Sequence, residues 1–234
     1  DDRLWNSSSN FFRCHTCPAG SGESCPNGAN QVFTDTLYGQ MLAHHHFGNY
    51  TIPTSYIESH LAYEWQKNQD TYGMRVLSDP IQEDSIWMNG PPTWTYLQLA
   101  LGKLSDADAY EPFKRMSENF RMRLRDQWNL RALTHTDGSV APAETTRPIE
   151  LGAPREQGHY GFMMTDLYLL PLLSGQQVDL PSGKLTFTPR YPAPYCLPVL
   201  LAGVEGSLCQ DANGPFVLEI AFGSLSLPAM GLSG

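Results

Sequence analysis

The hydrophobic pattern of the chain changes its period near Gly175, and this change constrains the fold more than any other feature. Before Gly175, apolar residues recur every three or four positions, as Ile57, Leu61 and Trp65 do, which is the spacing of one face of an α-helix. After it, residues 184–188 (Lys-Leu-Thr-Phe-Thr) alternate with a period of two, as strands do. Helices followed by strands predict a helical region with a β-rich module at its C-terminal side.

The helical region contains several separate helical patterns. One runs from Asp35 to Phe47, and two more open at Pro53 and Pro92, where proline suits a first helical turn. A longer helix and an apolar helix over residues 158–173 follow, with a Gly- and Pro-containing loop over residues 134–157 between them. The longer helix has the strongest periodicity, through Tyr110, Phe113, Phe120, Leu124 and Trp128. We therefore expect three parts: a Cys/Gly/Ser-rich loop (1–33), a helical region (34–174) and a β-rich module (175–234).

The cysteines predict disulfides. Cys14, Cys17 and Cys25 lie in the opening loop, and Cys196 and Cys209 lie in the β-rich module. An odd count leaves one thiol free or paired with another chain. The Cys-His-Thr-Cys spacing also fits zinc, but a tetrahedral site wants a fourth ligand, and disulfides are favoured.

Composition and short motifs narrow the class of protein. The net charge is −9, with 15 Lys and Arg against 24 Asp and Glu, and this balance argues against nucleic acid as a partner. The sequence lacks an apolar run of about 18 residues that could span a membrane. Asn6-Ser7-Ser8 and Asn49-Tyr50-Thr51 are acceptor sequons, and with clustered cysteines they predict a secreted or lumenal glycoprotein. The abrupt start at Asp1 favours a piece of a longer protein.

Other candidate sites are weaker. His44, His45 and His46 are consecutive, so on a helix their side chains point about 100° apart and do not converge on one metal ion. The sequence contains no phosphate loop, dinucleotide Gly motif, Ser nucleophile elbow or zinc-protease motif.

Residues 34–40 (Thr-Asp-Thr-Leu-Tyr-Gly-Gln) place one carboxylate, Asp35, where a loop turns into a helix. Taken alone, such an Asp fits a helix cap. Together with Leu4-Trp5-Asn6 and Phe11-Phe12, however, the segment resembles the general acid/base segment of glycoside hydrolase family 116, the non-lysosomal glucosylceramidase and β-glucosidase family. Residues 83–87 (Glu-Asp-Ser-Ile-Trp) and 158–161 (Gly-His-Tyr-Gly) are similar to two later segments of that family. The resemblance covers about residues 1–205.

This resemblance implies a fold and a chemistry. The fold would be mainly α: half of an (α/α)6-type barrel with residues 1–33 over its mouth, followed by the β-rich module. Asp35 would be the general acid/base of a retaining β-glucosidase, with Trp87, His159 and Tyr160 lining the sugar site and no metal or organic cofactor. The nucleophilic Glu would lie on another polypeptide, from the same precursor or separate, that completes the barrel. The ligand would be a β-linked glucoside or glycan.

Two departures from the family pattern keep a second function open. This chain has Ser85 where the family has Glu, and Phe162 where the family has a basic residue. The alternative is a secreted glycoprotein whose glycosidase-like barrel lost catalysis and serves carbohydrate binding, storage or structure. His159 equally fits a hydrogen-bonded core histidine. The sequence therefore leaves open whether the protein is an enzyme.

Overall fold

The computed structural model describes residues 4–14, 31–78, 86–103, 107–119, 121, 133–138, 161–179, 182–226 and 229–232. The chain divides into two compact units, Asp1–Thr165 and Asp166–Gly234. Several features predicted from sequence lie outside the described residues: Cys17, Cys25, Ser85, Leu124, Trp128, His159 and Tyr160.

The N-terminal unit contains four short helices: α1 (Tyr38–Phe47), α2 (Thr54–Asn68), α3 (Gly90–Ala100) and α4 (Glu111–Glu118). Pro53 immediately precedes α2, and α3 has proline in its first turn, as their fixed φ angles favour. α1 ends at Gly48, whose left-handed backbone (φ 70°) lets its N–H reach the carbonyl of His44. The proline signals in the sequence thus mark real helix starts.

Pairs of two-residue strands connect and flank these helices. β1 (Trp5–Asn6) pairs with β2 (Phe11–Phe12), β3 (Gln69–Asp70) with β4 (Gly73–Met74), and β5 (Ile86–Trp87) with β6 (Leu133–Thr134), all antiparallel. The first hairpin packs on α2, where the Trp5 ring stacks on Tyr56 with centroids 4.3 Å apart. The part of the opening segment that the structure describes is therefore ordered by contacts with α2.

The core of this unit forms around α2 and α3. Every residue of α3 from Gly90 to Leu99 is buried, so this helix is enclosed on all sides. The indole N–H of Trp94 donates to the Leu61 carbonyl on α2 at 3.0 Å, which satisfies a buried donor. Burial of each large apolar side chain contributes about 1.5–3 kcal/mol. Buried apolar residues of the unit include Val32, Met41, Ile57, Leu61, Met74, Ile86, Met88, Leu97 and Met116.

The C-terminal unit is mostly strand. It begins within a 3-10 helix (Gly161–Tyr168) that leads into α5 (Leu169–Ser174). The strands are β7 (Gln177–Asp179), β8 (Lys184–Phe187), β9 (Tyr195–Leu201), β10 (Val204–Gln210), β11 (Phe216–Phe222) and β12 (Ala229–Leu232). One sheet is an antiparallel meander in the order β11-β10-β9. The other has the order β12-β8-β7, in which β12 and β8 are parallel.

Alternating side chains from both sheets form the core of the C-terminal unit. Leu185 and Phe187 of β8 pack with Val199 of β9 and Leu208 of β10, and all four are at most 1% exposed. The period-two pattern at residues 184–188 therefore describes a real strand with one buried face.

The predicted fold class is wrong. The described residues form short helices of 6 to 15 residues interleaved with small sheets, followed by a β-rich region, so the chain is not mainly α and does not form half of an (α/α)6 barrel. Residues 161–168 make 3-10 turns where an α-helix was predicted. The α-helix begins only at Leu169, so the predicted helix over residues 158–173 is α-helical in its last part alone among the described residues. The expectations of a barrel mouth and of a partner that completes the barrel lose their basis.

Candidate functional site

Asp35 lies in a turn that leads into α1. The turn follows a β-bridge between Phe33 and Leu77, and the carbonyl of Asp35 accepts from the Tyr38 N–H at 3.1 Å. Leu37 is the residue that precedes the helix, and α1 has no side-chain cap. The Asp35 carboxyl is therefore not used as a helix cap.

Asn89 holds the Asp35 carboxyl in place. Its side-chain N–H donates to Asp35 Oδ1 at 2.8 Å, and Asn89 itself is fully buried just before α3. The next residue, Gly90, lets this end of α3 approach closely, because a Cβ at position 90 would lie 2.9 Å from Thr34 Cβ. Close packing of the α3 start against Thr34 thus brings the amide to the carboxyl.

Burial changes the acidity of Asp35. It raises the pKa of this carboxyl to about 6 from 3.8, while hydrogen bonds from Asn89 and from the half-buried Trp87 side chain lower the pKa and limit the rise. Trp87 belongs to β5, two residues before Asn89, and its ring lies 6.0 Å from that of Phe33. The result is an acid that is protonated at pH 5 and ionised above about pH 6.

The buried face of α2 carries an ionisable pair, His60 and Glu64. Their exposed fractions are 0% and 2%, and His60 Nε2 lies 3.5 Å from Glu64 Oε2. The backbone N–H of Phe12 donates to His60 Nδ1 at 3.0 Å, so Nδ1 is unprotonated and the ring proton is on Nε2, facing Glu64. Burial also lowers the pKa of His60 to about 3, and the ring is therefore neutral at ordinary pH.

Glu64 and Asp35 are electrostatically coupled. Burial raises the pKa of Glu64 well above 4.5, and repulsion from the Asp35 charge raises it further. Both effects favour the protonated form of the Glu64 carboxyl.

The structure brings together two of the residues that the resemblance marked, Asp35 and Trp87. His159 and Tyr160 lie outside the described residues. The motif residue Gln40 has a structural contact: its side-chain amide exchanges two hydrogen bonds with Thr51, at 2.7 and 2.9 Å, and so holds the loop after α1.

The two sequons differ in accessibility. Asn6 is 8% exposed, and its Oδ1 accepts from the N–H and hydroxyl of Ser8 at 3.1 and 2.7 Å. Asn49 is exposed in the loop after α1. Asn49 is therefore the better placed of the two for a glycan.

Two of the predicted disulfide cysteines are joined. Cys196 and Cys209 face each other on β9 and β10 and form a disulfide. Cys14 is a free, exposed thiol, and Cys17 and Cys25 lie outside the described residues. The disulfide is compatible with a secreted protein.

The described part of the chain has neither a cluster of metal ligands nor a membrane-spanning helix. His44 Nδ1 lies 2.9 Å from the Tyr96 hydroxyl, and no group of three or more His, Cys, Asp or Glu side chains in the described ranges could hold a metal ion. In those same ranges, no helix has both the length and the apolar character to cross a membrane.

No protein-family model and no curated protein matches this chain. The resemblance to glycoside hydrolase family 116 therefore stays a prediction that rests on the motifs quoted above.

Three residues of the site, His60, Glu64 and Asn89, were not predicted. A signal for the first two exists in the sequence, because they fall on the same helical face as Ile57 and Leu61. Polar residues at core positions of a helix require partners and often mark function. Asn89 lies two residues after the Ile-Trp pair, where an amide just past a strand can reach a neighbouring segment.

Proposed function

We propose that this chain supplies the general acid/base carboxyl of a retaining β-glucosidase or glucosylceramidase, and that Asp35 is this group. The observation that carries the proposal is the pKa of Asp35, which burial raises to about 6. A general acid must still hold its proton at the working pH. An Asp with a pKa of 3.8 would be almost fully ionised at pH 6 and would be a poor donor.

The surroundings of Asp35 support the same role. Asn89 donates to Oδ1 at 2.8 Å and so fixes the orientation of the carboxyl. The half-buried indole of Trp87 provides an apolar surface of the kind on which a sugar ring packs. The reaction itself needs no metal or organic cofactor.

The nucleophile must come from elsewhere. A retaining enzyme needs a second carboxylate, ionised and about 5 Å from the first. Glu64 interacts electrostatically with Asp35, but burial raises its pKa well above 4.5, and with 2% of its side chain exposed it cannot reach a substrate. We propose that the nucleophilic Glu lies on a further part of the protein or on a partner chain.

A secreted or lumenal location fits this proposal. The Cys196–Cys209 disulfide requires an oxidising compartment to persist, and the exposed Asn49 sequon is accessible to the glycosylation machinery.

The test is hydrolysis of β-glucosides by the natural assembled protein that contains this chain, beside its Asp35→Asn variant. We expect Asp35→Asn to lower kcat/KM by roughly 10²- to 10⁴-fold. The loss should be larger for an alkyl glucoside than for a dinitrophenyl glucoside, because dinitrophenolate leaves without protonation. The wild-type kcat/KM should fall as pH rises through about 6, the pKa of the acid.

Glu58→Gln is the matched control, since it makes the same carboxyl-to-amide change at an exposed position of α2. An equal loss for both leaving groups would contradict acid catalysis by Asp35. No turnover of any β-glycoside, with glycan binding retained, would favour the alternative of a carbohydrate-binding protein that lacks catalysis.

A further inference from the structure

Asn89 is a buried side chain in direct contact with the candidate acid. Its side-chain N–H donates to Asp35 Oδ1 at 2.8 Å, although 54 positions separate the two residues in the chain. Asn89 is 0% exposed, so solvent does not compete for its amide. A hydrogen bond to an ionised carboxyl is stronger than one between neutral groups, and a dry site strengthens it further.

The start of α3 gives this amide a rigid base. Pro91 and Pro92 lie in the first turn of the helix, where their fixed φ angles restrict the backbone. The Thr93 N–H donates to the Asn89 backbone carbonyl at 3.3 Å and closes the same turn. The Asn89 side chain therefore extends from a backbone that has little freedom to move.

The segment that carries the acid is fixed as well. The Thr34 N–H donates to the Val76 carbonyl at 3.1 Å, and the Asp35 carbonyl accepts from the Tyr38 N–H at the same distance. Gly90 brings the start of α3 onto this segment, because a Cβ at position 90 would lie 2.9 Å from Thr34 Cβ. The reach of the amide to the carboxyl thus depends on a glycine beside it.

We propose that Asn89 is a positioning residue for the second step of hydrolysis: its amide holds the Asp35 carboxylate in place and stabilises it for accepting a proton from water. This inference rests on the proposed function for the acid/base role of Asp35.

The second step of a retaining mechanism requires an ionised Asp35. A water oxygen bonds to the anomeric carbon while the bond from that carbon to the nucleophilic carboxylate breaks, and Asp35 takes the proton of the water. Burial of Asp35 opposes its ionisation, whereas an N–H that donates to the carboxylate favours it. Without the Asn89 amide, the buried carboxyl would remain a good acid and become a poor base.

Replacing Asn89 leaves the ionisable groups around Asp35 in place. On α2 that group is Glu64, whose pKa the Asp35 charge raises. The first turn of α1 has no acidic side chain, and its histidines lie in the last turn. On α3 the titratable side chain is Tyr96, and on β5 the Trp87 indole donates to the carboxyl but does not titrate. A changed Asp35 titration therefore reports the lost amide.

The first test uses the wild-type chain in ¹H–¹⁵N and ¹³C NMR titrations. The side-chain amide protons of Asn89 should shift with the same midpoint as the Asp35 carboxyl, because their hydrogen bond strengthens as the carboxyl ionises. Asn119 is the matched control: it is also buried, but its amide donates to the Gly138 carbonyl at 3.1 Å and should not follow Asp35. An Asn89 amide that does not titrate with Asp35 would overturn the proposal.

The second test compares the Asp35 midpoint in Asn89→Leu and Gly90→Ala with that of wild type. Leu has nearly the shape of Asn but no donor, whereas Ala at position 90 keeps the amide and pushes it away from the carboxyl. Both variants should raise the midpoint by about one pH unit, a tenfold gain in proton affinity. The controls Asn119→Leu and Gly39→Ala should leave it unchanged, since a Cβ at position 39 meets no atom within 4 Å.

A rise of less than about 0.5 pH units in folded Asn89→Leu would contradict the proposal, because a hydrogen bond to a charged group is worth more than that. If neither variant folds, the wild-type titration of the Asn89 amide decides alone.

Kinetics of the natural assembled protein separate this role from a merely structural one. With a dinitrophenyl glucoside the first step needs no acid, so the second step limits kcat. Asn89→Leu should lower kcat about fivefold at pH 6 and recover it as pH rises through the raised midpoint. Azide, an anionic nucleophile that needs no base, should restore kcat at pH 6.

A loss of kcat that is equal at every pH and is not restored by azide would mean that Asn89 has only a structural role. Absence of turnover in wild type would overturn the hydrolase proposal instead. The NMR titrations need no turnover, so the two failures are distinguishable.

Discussion

Glu64 holds a proton in the folded protein at pH values where an unfolded Glu has lost it. Its pKa is raised well above 4.5 by burial and by the Asp35 charge. Above pH 4.5 the native state therefore binds one more proton than the unfolded state, and the free energy of unfolding falls as pH rises, by about 1.4 kcal/mol per unit. Asp35 adds a slope of the same sign between pH 3.8 and about 6.

Glu64→Gln should remove the contribution of Glu64 to this slope. We expect the variant to gain stability over wild type progressively as pH rises above 4.5, because Gln has no proton to lose. Urea unfolding at a series of pH values measures the difference. The free energy of unfolding of Glu58→Gln should vary with pH as that of wild type does. The same result for Glu64→Gln would show that the pKa of Glu64 is not raised.

Residues of the candidate site could be predicted from the sequence only where a short motif contains them. Asp35 and Trp87 were identified from short patterns, and the structure places them together. Glu64 was not, because its proximity to Asp35 depends on how α2 packs against a segment some thirty positions earlier. Such a contact leaves no local pattern in the sequence.

At the scale of elements, Gly175 ends α5 and is hydrogen-bonded to Thr188, the residue that follows β8. It adopts a left-handed backbone (φ 61°), and its carbonyl accepts from the Thr188 N–H at 3.1 Å. A Cβ at this position would overlap the Thr188 carbonyl oxygen. The position therefore requires glycine for two reasons: its φ angle and the approach of another strand.

Gly175→Ala should destabilise the C-terminal unit by more than about 2 kcal/mol, since strain at positive φ adds to a backbone clash. Gly203→Ala is the control: its φ is 73°, but no atom lies within 4 Å of the added Cβ, so about 1 kcal/mol is expected. Hydrogen exchange of residues 184–210 reports both changes. Equal losses for the two variants would argue against the clash.

Elements were predicted best where they are long and regular. Residues 184–188 were expected to form a strand, and β8 lies there. Strands of two residues such as β3 and β5 have no measurable period, and a 3-10 turn shares the three-residue spacing of an α-helix. The predicted fold class was wrong because the short strands were interpreted as loop and the 3-10 turns as α-helix.

At the scale of the whole molecule, one described covalent link lies within the C-terminal unit. Cys196 and Cys209 are 13 positions apart on adjacent strands, and closing a loop of that size contributes about 3 kcal/mol by restricting the unfolded chain. Stability of this unit should therefore depend on redox conditions.

Replacing both cysteines by serine should lower the stability of the C-terminal unit by about 2–4 kcal/mol. Thermal unfolding under non-reducing conditions, with hydrogen exchange of residues 195–210, measures the effect. Cys14→Ser is the control, because Cys14 is a free, exposed thiol and its loss should change little. If the double variant matched wild type, the disulfide would not contribute to stability.

The parallel pairing of β12 with β8 has a consequence for synthesis. The strands β9, β10 and β11 lie between the two partners in sequence, so the meander can form while β12 is still inside the ribosome. Until residues 229–232 emerge, one edge of β8 presents unpaired N–H and C=O groups to other chains. Long-range pairing of this kind is slow to form. The nascent chain is therefore most open to mispairing at β8 in the interval between folding of the meander and emergence of β12.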